Sequence, residues 1–271
     1  MPRSAPIPNV VSIAAIDPSG GAGSFADLKA FAALGAYGAG VVVALTAQNT
    51  RAVTGIHEAP VEFSRLQIDT LFEDVRIDAV KIGALVSAPI IRMVAERLRH
   101  WQPRFVVLDP VMVAKSGDRL LREDAVQAMR EEMLPLATVV TPNLPEAGDL
   151  VGRAVTDSSQ DMRAAAVALG DMGARHVLVK GGHGSGDTLV DLLYNGNRFI
   201  ELPAQRIRTK NTHGTGCTLS SAIAALLPQR PTVEAAVRDA REYVLGAIRA
   251  ADQLSVGGGH GPLHHFHNVW R

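Results

Sequence analysis

The stretch "AVKIGALVSAPIIRMVAERLRHWQPRFVVLDP", residues 79–110, holds the fold in miniature. A short strand-like run, AVKI (79–82), precedes a helical amphipathic pattern over 88–100, and an apolar run follows at 105–108. Continuous apolar strands are covered on both faces, and strands that alternate with helices pair in parallel. The pattern repeats outward in both directions. It predicts further strands at 10–16, 40–45, 138–141 and 176–180, and helices near 24–35, 62–74, 121–133 and 159–171. Two last helices are expected near 215–227 and 232–254. Only "GDTLVDLLYNGNRFIEL" (186–202) breaks the alternation: two strand-like runs flank Asn195-Gly196, a tight-hairpin signature. The fold class is α/β, a mostly parallel central sheet with helices on both faces and a late β-hairpin. No linker, repeat or low-complexity segment divides the chain, so residues 1–271 read as a single domain.

Composition narrows the function. Lys+Arg and Asp+Glu balance at 27 each, which argues against nucleic acid or an anionic membrane as partner. Aromatic residues make up only 4%, too few for a base-stacking platform. The apolar runs are far shorter than a membrane span needs. The opening "MPRSAPIPNVVSIAAI" lacks the apolar core and cleavage site of a signal peptide and reads as a short leader into the first strand. Cys217 is the one cysteine, so no internal disulfide forms, and the chain suits a reducing cytoplasm.

In parallel α/β sheets, ligands gather at the carboxyl ends of the strands. Asp17, Gln48-Asn49, Asp109, Asn143 and Lys180 each follow an expected strand. "DPSGGAGSFADLKAF" (17–31) formally contains a G-x-G-x-x-A dinucleotide fingerprint at Gly21, Gly23 and Ala26. That fingerprint also requires an acidic residue about 20 positions on. None stands between Asp27 and Glu58, which disfavours a dinucleotide-dependent oxidoreductase. A plain tight turn and a turn that brings backbone to a ligand both stay open. No P-loop motif occurs. "THGTGCTLSSAIAAL" is the better anion site: Gly214, Thr215 and Gly216 open a helix whose first amides lack internal partners. An ordinary helix capped by Thr212 or Thr215 is the alternative.

Cys217 shares that electropositive end, where a thiol is biased toward thiolate and can act as base or nucleophile. A small buried hydrophobe is the plain alternative, and a Cys–His pair with His213 a third. In "TPNLPEA", Asn143 and Glu146 either hold Mg²⁺ partly through water or form a capping box. Asp109 and Lys180 read equally as strand terminators. The tail holds His260, His264, His265 and His267, with no cysteine or carboxylate nearby to complete a metal site. A packed or solvated tail is expected.

Taken together, "AIDPSGGAGSFADLKAF", "ALTAQNT", "KIGAL", "LDPVMVAKSGDRLL", "TPNLPEA", "VKGGH", "TKNTHGTGCTLSSAIAAL" and "GHGPLHHF" resemble the hydroxymethylpyrimidine/phosphomethylpyrimidine kinases of thiamine synthesis, a branch of the ribokinase-like fold. The match runs in order from residue 16 to 266. Sugar kinases of that fold usually carry aspartate where Cys217 stands. The resemblance implies ATP-dependent phosphorylation of 4-amino-5-hydroxymethyl-2-methylpyrimidine, then of its monophosphate, with Mg²⁺ as cofactor and a homodimer as the assembly. It casts Cys217 as the group that assists deprotonation of the hydroxyl, and Gly214–Gly216 as the anion hole. Gln48 would bind the aminopyrimidine edge, and Asp27, Gly21 and Gly23 would line the same pocket. Lys180, Asn143 and Asp109 would contact ATP, with Asp109 and Glu146 on the Mg²⁺ side. Ala84 departs from the family's usual methionine after "KIG", which widens the pocket and keeps pyridoxal or pyridoxine kinase as an alternative. A non-catalytic vitamin-binding domain is the alternative outside enzymes.

Overall fold

The computed structural model describes residues 6–113, 117, 121, 123–182 and 186–270. The leader at 1–5, the loop of "LDPVMVAKSGDRLL" beyond Val113 and His183 of "VKGGH" lie largely or wholly outside those residues. The first half of the chain runs β1 (Asn9–Ile16), α1 (Gly23–Ala33), β2 (Tyr37–Gln48), β3 (Val53–Glu58), α2 (Val61–Asp74), β4 (Ala79–Ile82), α3 (Ala88–Trp101) and β5 (Val106–Leu108). The second half runs α4 (Glu123–Ala128), β6 (Val139–Val140), α5 (Leu144–Val151), α6 (Ser159–Asp171), β7 (Val177–Val179), β8 (Thr188–Tyr194), β9 (Phe199–Gln205), α7 (Thr215–Leu226) and α8 (Val233–Arg249). A π-helical turn (129–133) follows α4 directly, so the expected helix there keeps its length but loosens its winding.

All nine strands form one sheet in the order β3-β2-β1-β4-β5-β6-β7-β8-β9. From β2 to β7 the neighbours are parallel; β3, β8 and β9 join antiparallel. The expected hairpin is present as β8–β9. The strand β3 is an addition, and β2 runs three residues past its expected end, so Gln48 is a strand residue rather than part of a loop.

The central strands alternate between two cores, as a strand's period of two requires. Val11, Ile13, Val80, Ile82, Val106, Leu108 and Val140 face the core under α2 to α6. Val10, Ala79, Val107, Val139 and Leu178 face the core under α1, α7 and α8. On that second face Ser12 and Lys81 stand in register with each other across β1 and β4, and both are fully buried. The helix α7 is rich in alanine and serine, which lets it lie close over the sheet. The strand order reverses at β1, with β2 on one side and β4 on the other. A crevice outside the carboxyl ends follows from that reversal.

Candidate active site

Two glycine turns meet above β1. Asp17 organises the first turn: its carboxylate accepts hydrogen bonds from Ser19 N (2.8 Å), Ser19 Oγ (2.9 Å) and Ala22 N (3.0 Å). His213, just before α7, shares a 2.7 Å hydrogen bond with Asp17 through Nε2, and both side chains are buried. Burial would raise the Asp17 carboxyl, but hydrogen bonds from His213 and Ser19 hold it below its ordinary value. His213 is therefore turned to Asp17 and makes no Cys–His pair with Cys217. The fit between the turns excludes side chains. Gly214 has φ +78°, and a Cβ there would overlap the Gly21 carbonyl; a Cβ on Gly21 would overlap the His213 ring. Gly21 and Gly23 thus serve close backbone packing.

No side chain caps α7 at its start. Thr215 Oγ1 donates to the Thr212 carbonyl instead, so neither threonine is the cap that an ordinary helix start would have. Thr215 N donates to the Thr212 carbonyl at 3.3 Å, which leaves the amides of Gly216 and Cys217 to offer the helix's partial positive charge, and this suits a phosphoryl oxyanion.

On the far side of this helix start lies a charged group from three strand ends. Lys180 Nζ stands 3.2 Å from Asp109 Oδ1 and 3.8 Å from Glu146 Oε2. Thr141 Oγ1 donates to Asp109 Oδ1 at 3.2 Å, and Ser220 Oγ to Asp109 Oδ2 at 3.4 Å. Burial works to lower the Lys180 pKa, yet the Asp109 and Glu146 carboxylates leave it raised. Burial pushes Glu146 up to about 7, with Lys180 opposing and Asp109 adding to the rise. Asn143 and Glu146 form a complete capping box: Asn143 N donates to Glu146 Oε2 (2.8 Å) and Glu146 N to Asn143 Oδ1 (2.9 Å). The helix-start reading of "TPNLPEA" is thus the observed one, and Asn143 holds Glu146 in place. Among the described residues no three His, Cys, Asp or Glu side chains gather as a metal cage. Two buried carboxylates whose charge is shared by one ammonium still suit Mg²⁺, which takes oxygen ligands and keeps several from phosphate and water.

Cys217 lies between the two halves. The Gly23 amide lies near its sulfur and works to lower its pKa. Gly216 faces Lys180 and Asp109 on the other side, where a Cβ would stand 3.2 Å from Lys180 Nζ. The expectation of an acidic thiol is overturned. Burial pushes the Cys217 thiol up to about 11; Lys81 and the Gly23 amide oppose this, while the Asp109 and Asp27 carboxylates add to it. Desolvation and two carboxylates outweigh the helix end.

The organic side is built by neighbouring strands β2, β1 and β4. Thr46 Oγ1 lies 2.9 Å from Ile16 O and 3.1 Å from Gln48 Oε1 at the end of β2, and its one hydroxyl hydrogen can go to either acceptor. Ala84 follows β4, donates nothing, and packs with Ala15, Ala44 and Val86. Val86 is β-branched yet has φ +65°, a strained conformation held by burial.

Asp27 is a correction. It lines no pocket: it is fully buried, with Lys81 Nζ at 2.9 and 2.8 Å from its two oxygens. Ser12 Oγ (2.6 Å) and Ser221 Oγ (2.7 Å) donate to the same carboxylate. Ser221 lies one turn after Cys217 on α7, so this network sits under the thiol. Lys81 went unremarked in sequence; a lysine inside a buried strand was the available signal. The tail is packed, as expected: His264 and His265 are buried, and burial holds the His265 ring down to about 3, hence neutral.

The phosphomethylpyrimidine kinase family model matches residues 17–264. The chain is 51% identical over 261 residues to the hydroxymethylpyrimidine/phosphomethylpyrimidine kinase of Rhizobium meliloti, covering 96% of this chain and 98% of that protein. It is 48% identical over 262 residues to the protein of the same name from Escherichia coli, covering 97% and 98%. Among solved structures, the pyridoxal kinase from Staphylococcus aureus in complex with AMP-PCP and pyridoxal superposes with a TM-score of 0.89 at 33% identity, over 98% of this chain and 96% of that one. The phosphomethylpyrimidine kinase from Clostridium difficile superposes with a TM-score of 0.79 at 37% identity, over 90% and 100%.

Proposed function

The chain belongs to the phosphomethylpyrimidine kinase family, and from that premise we propose how its residues share the work. The reaction is ATP-dependent phosphorylation of 4-amino-5-hydroxymethyl-2-methylpyrimidine, then of its monophosphate, in thiamine biosynthesis. The observation that carries the assignment of roles is the position of Cys217. It sits between the first glycine turn, at Gly23, and the charged group of Lys180, Asp109 and Glu146, at a helix start with no side-chain cap.

The substrate oxygen attacks the γ-phosphorus of ATP as the bond to ADP breaks. Cys217, in its thiolate form, accepts the hydroxyl proton and becomes the thiol. The Gly214–Gly216 turn, through the amides of Gly216 and Cys217, holds the transferring phosphoryl oxygens, and Lys180 neutralises charge passing to ADP. Asp109 and Glu146 would hold Mg²⁺, with Asn143 orienting Glu146; that ion, when bound, offsets phosphate charge. Gln48 presents an amide that donates and accepts at once, which matches an aminopyrimidine edge. The test is ADP release with both pyrimidines and with ribose. Both pyrimidines are expected to drive it and ribose not; ribose turnover without pyrimidine turnover would overturn the reading. Gln48→Ala should raise the pyrimidine KM by roughly 1–3 kcal/mol equivalent and leave ATP affinity unchanged. Equal losses for both ligands in calorimetry would remove Gln48 from this role.

One sheet and a family match over residues 17–264 support reading the chain as one catalytic domain. Among the described residues no helix is long and apolar enough to cross a membrane, and a lone thiol supports a reducing cytoplasm. We also propose a homodimer. Leu45, Phe63 and Leu66 are half or more exposed on β2 and α2, more apolar surface than a monomer needs to show. Sedimentation equilibrium should return twice the chain mass; a single chain mass at micromolar concentration would refute it.

A further inference from the structure

The stretch "SVGGGHG", residues 255–261, plays no part in the reaction as described. We propose that residues 257–261 form a strap that holds the β2–β3 turn against the turn before α7, with Thr50 and Asn211 as positioning residues at its two ends. The proposal rests on the reading of Gln48 as a pyrimidine contact.

The β2–β3 turn needs outside support. Pairing of β2 with β1 ends at Leu45, and β3 is the edge of the sheet, so residues 46–53 overhang it. The strap supplies that support through its backbone. Gly259 N donates to Thr50 Oγ1 (3.1 Å) and His260 N to Thr50 O (2.9 Å). One residue further, Gly261 N donates to Asn211 Oδ1 (3.1 Å), and Gly261 O accepts from His213 N (3.0 Å). Three consecutive residues, 259–261, therefore bind both turns at once. Asn211 is in turn tied to Asp252 through Nδ2 at 2.7 Å.

The glycines are required by this closeness. A Cβ on Gly257 would overlap Thr50 Oγ1, one on Gly259 the Thr50 carbonyl, and one on Gly261 the Asn211 amide oxygen. Gly257 also has φ +66°, which disfavours any side chain. The strap is pinned beyond its far end, because Leu263, His264 and His265 are buried and Tyr243 Oη donates to His265 O (2.8 Å). A pinned strap fixes where Thr50 lies, and Gln48 stands two residues before it.

Three variants and one control test this. Thr50→Val keeps the shape and removes the acceptor for Gly259 N–H; Thr50→Ser restores it; Gly259→Ala forces the strap off the turn. Thr50→Val and Gly259→Ala should each raise the pyrimidine KM by about tenfold, since small misplacements of binding groups weigh heavily. The KM for ATP should stay within about twofold, and Thr50→Ser should recover most of the loss. Pyrimidine KM within twofold of the parent in folded Thr50→Val and Gly259→Ala overturns the strap. So does an equal rise in both KM values, the mark of general loosening. Gln48→Ala is the control. If it raises the pyrimidine KM while the strap variants do not, the strap alone fails; if it leaves that KM unchanged, the reading of the hairpin fails and the strap with it.

Discussion

Cys217→Ala should lower pyrimidine turnover by about 10² to 10⁴, the range for losing a group that takes a proton in the transition state. Binding should survive, because the Gln48 amide and the Gly214–Gly216 turn are untouched. The thiol's surroundings set the pH behaviour. Burial pushes it up to about 11, against Lys81 and the Gly23 amide. At neutral pH the free protein therefore carries a thiol, and the thiolate is scarce but strongly basic. Two consequences can be measured with a single-cysteine chain. Iodoacetamide should react slowly near neutrality, and its rate should climb about tenfold per pH unit well beyond about 8.5, where an ordinary thiol begins to level off. Bound pyrimidine should slow the labelling, since hydroxyl and reagent compete for the same sulfur. A labelling rate that levels off near neutral pH would contradict the raised thiol pKa. Near-normal turnover by the alanine variant would end the catalytic role.

What the sequence reveals and conceals about this site follows from range. Buried strands such as 79–82 and amphipathic helices such as 159–171 announce themselves through local patterns of apolar residues, and both lie where expected. The strand β3 gives no such signal: four of its six residues are exposed, and an edge strand needs no apolar face. The strand-end rule brought Asp109 and Lys180 to one region; that they meet at 3.2 Å across 71 residues is tertiary information. The position of Cys217 at a helix start was legible, whereas its acidity was not, because burial and the nearby carboxylates come from β4, β5 and α1. Asp27 fails for the same reason. A carboxylate early in a helix after a glycine turn looks like a ligand-facing group until Lys81 is seen beneath it. The contact of Thr50 with Gly259 spans 209 residues and leaves no local trace except three glycines in a row.

The buried pair itself yields the other large effect. Asp27→Asn should destabilise the fold by about 3–5 kcal/mol, because it leaves the Lys81 ammonium inside the protein without a counter-charge. Both side chains are fully buried, so water cannot relieve that charge. Burial works to lower the Lys81 pKa and Asp27 more than reverses it; with a neutral amide in place of the carboxylate, burial wins and Lys81 sheds its proton or the fold opens. Removing both charges together should be far milder. Asp27→Leu with Lys81→Met replaces the pair by apolar groups of similar bulk, which in buried sites is often neutral. Ser12 and Ser221 then lose the carboxylate they donate to, at roughly 1–3 kcal/mol where no new acceptor is found. Ser12 lies 3.3 Å from Ser24 Oγ and can turn to it, so most of this residual falls on Ser221. Urea unfolding of the parent, the single and the double variant reads these differences directly. The double variant also separates stability from chemistry: it keeps the fold but removes both the cation that opposes the rise in the Cys217 pKa and the Asp27 carboxylate that adds to it; Lys81 acts more strongly of the two, so the thiol should alkylate modestly more slowly at a given pH. A loss below about 1 kcal/mol for Asp27→Asn would show that the pair does not hold the core, and faster alkylation in the double variant would show that Lys81 is not the stronger influence on the thiol.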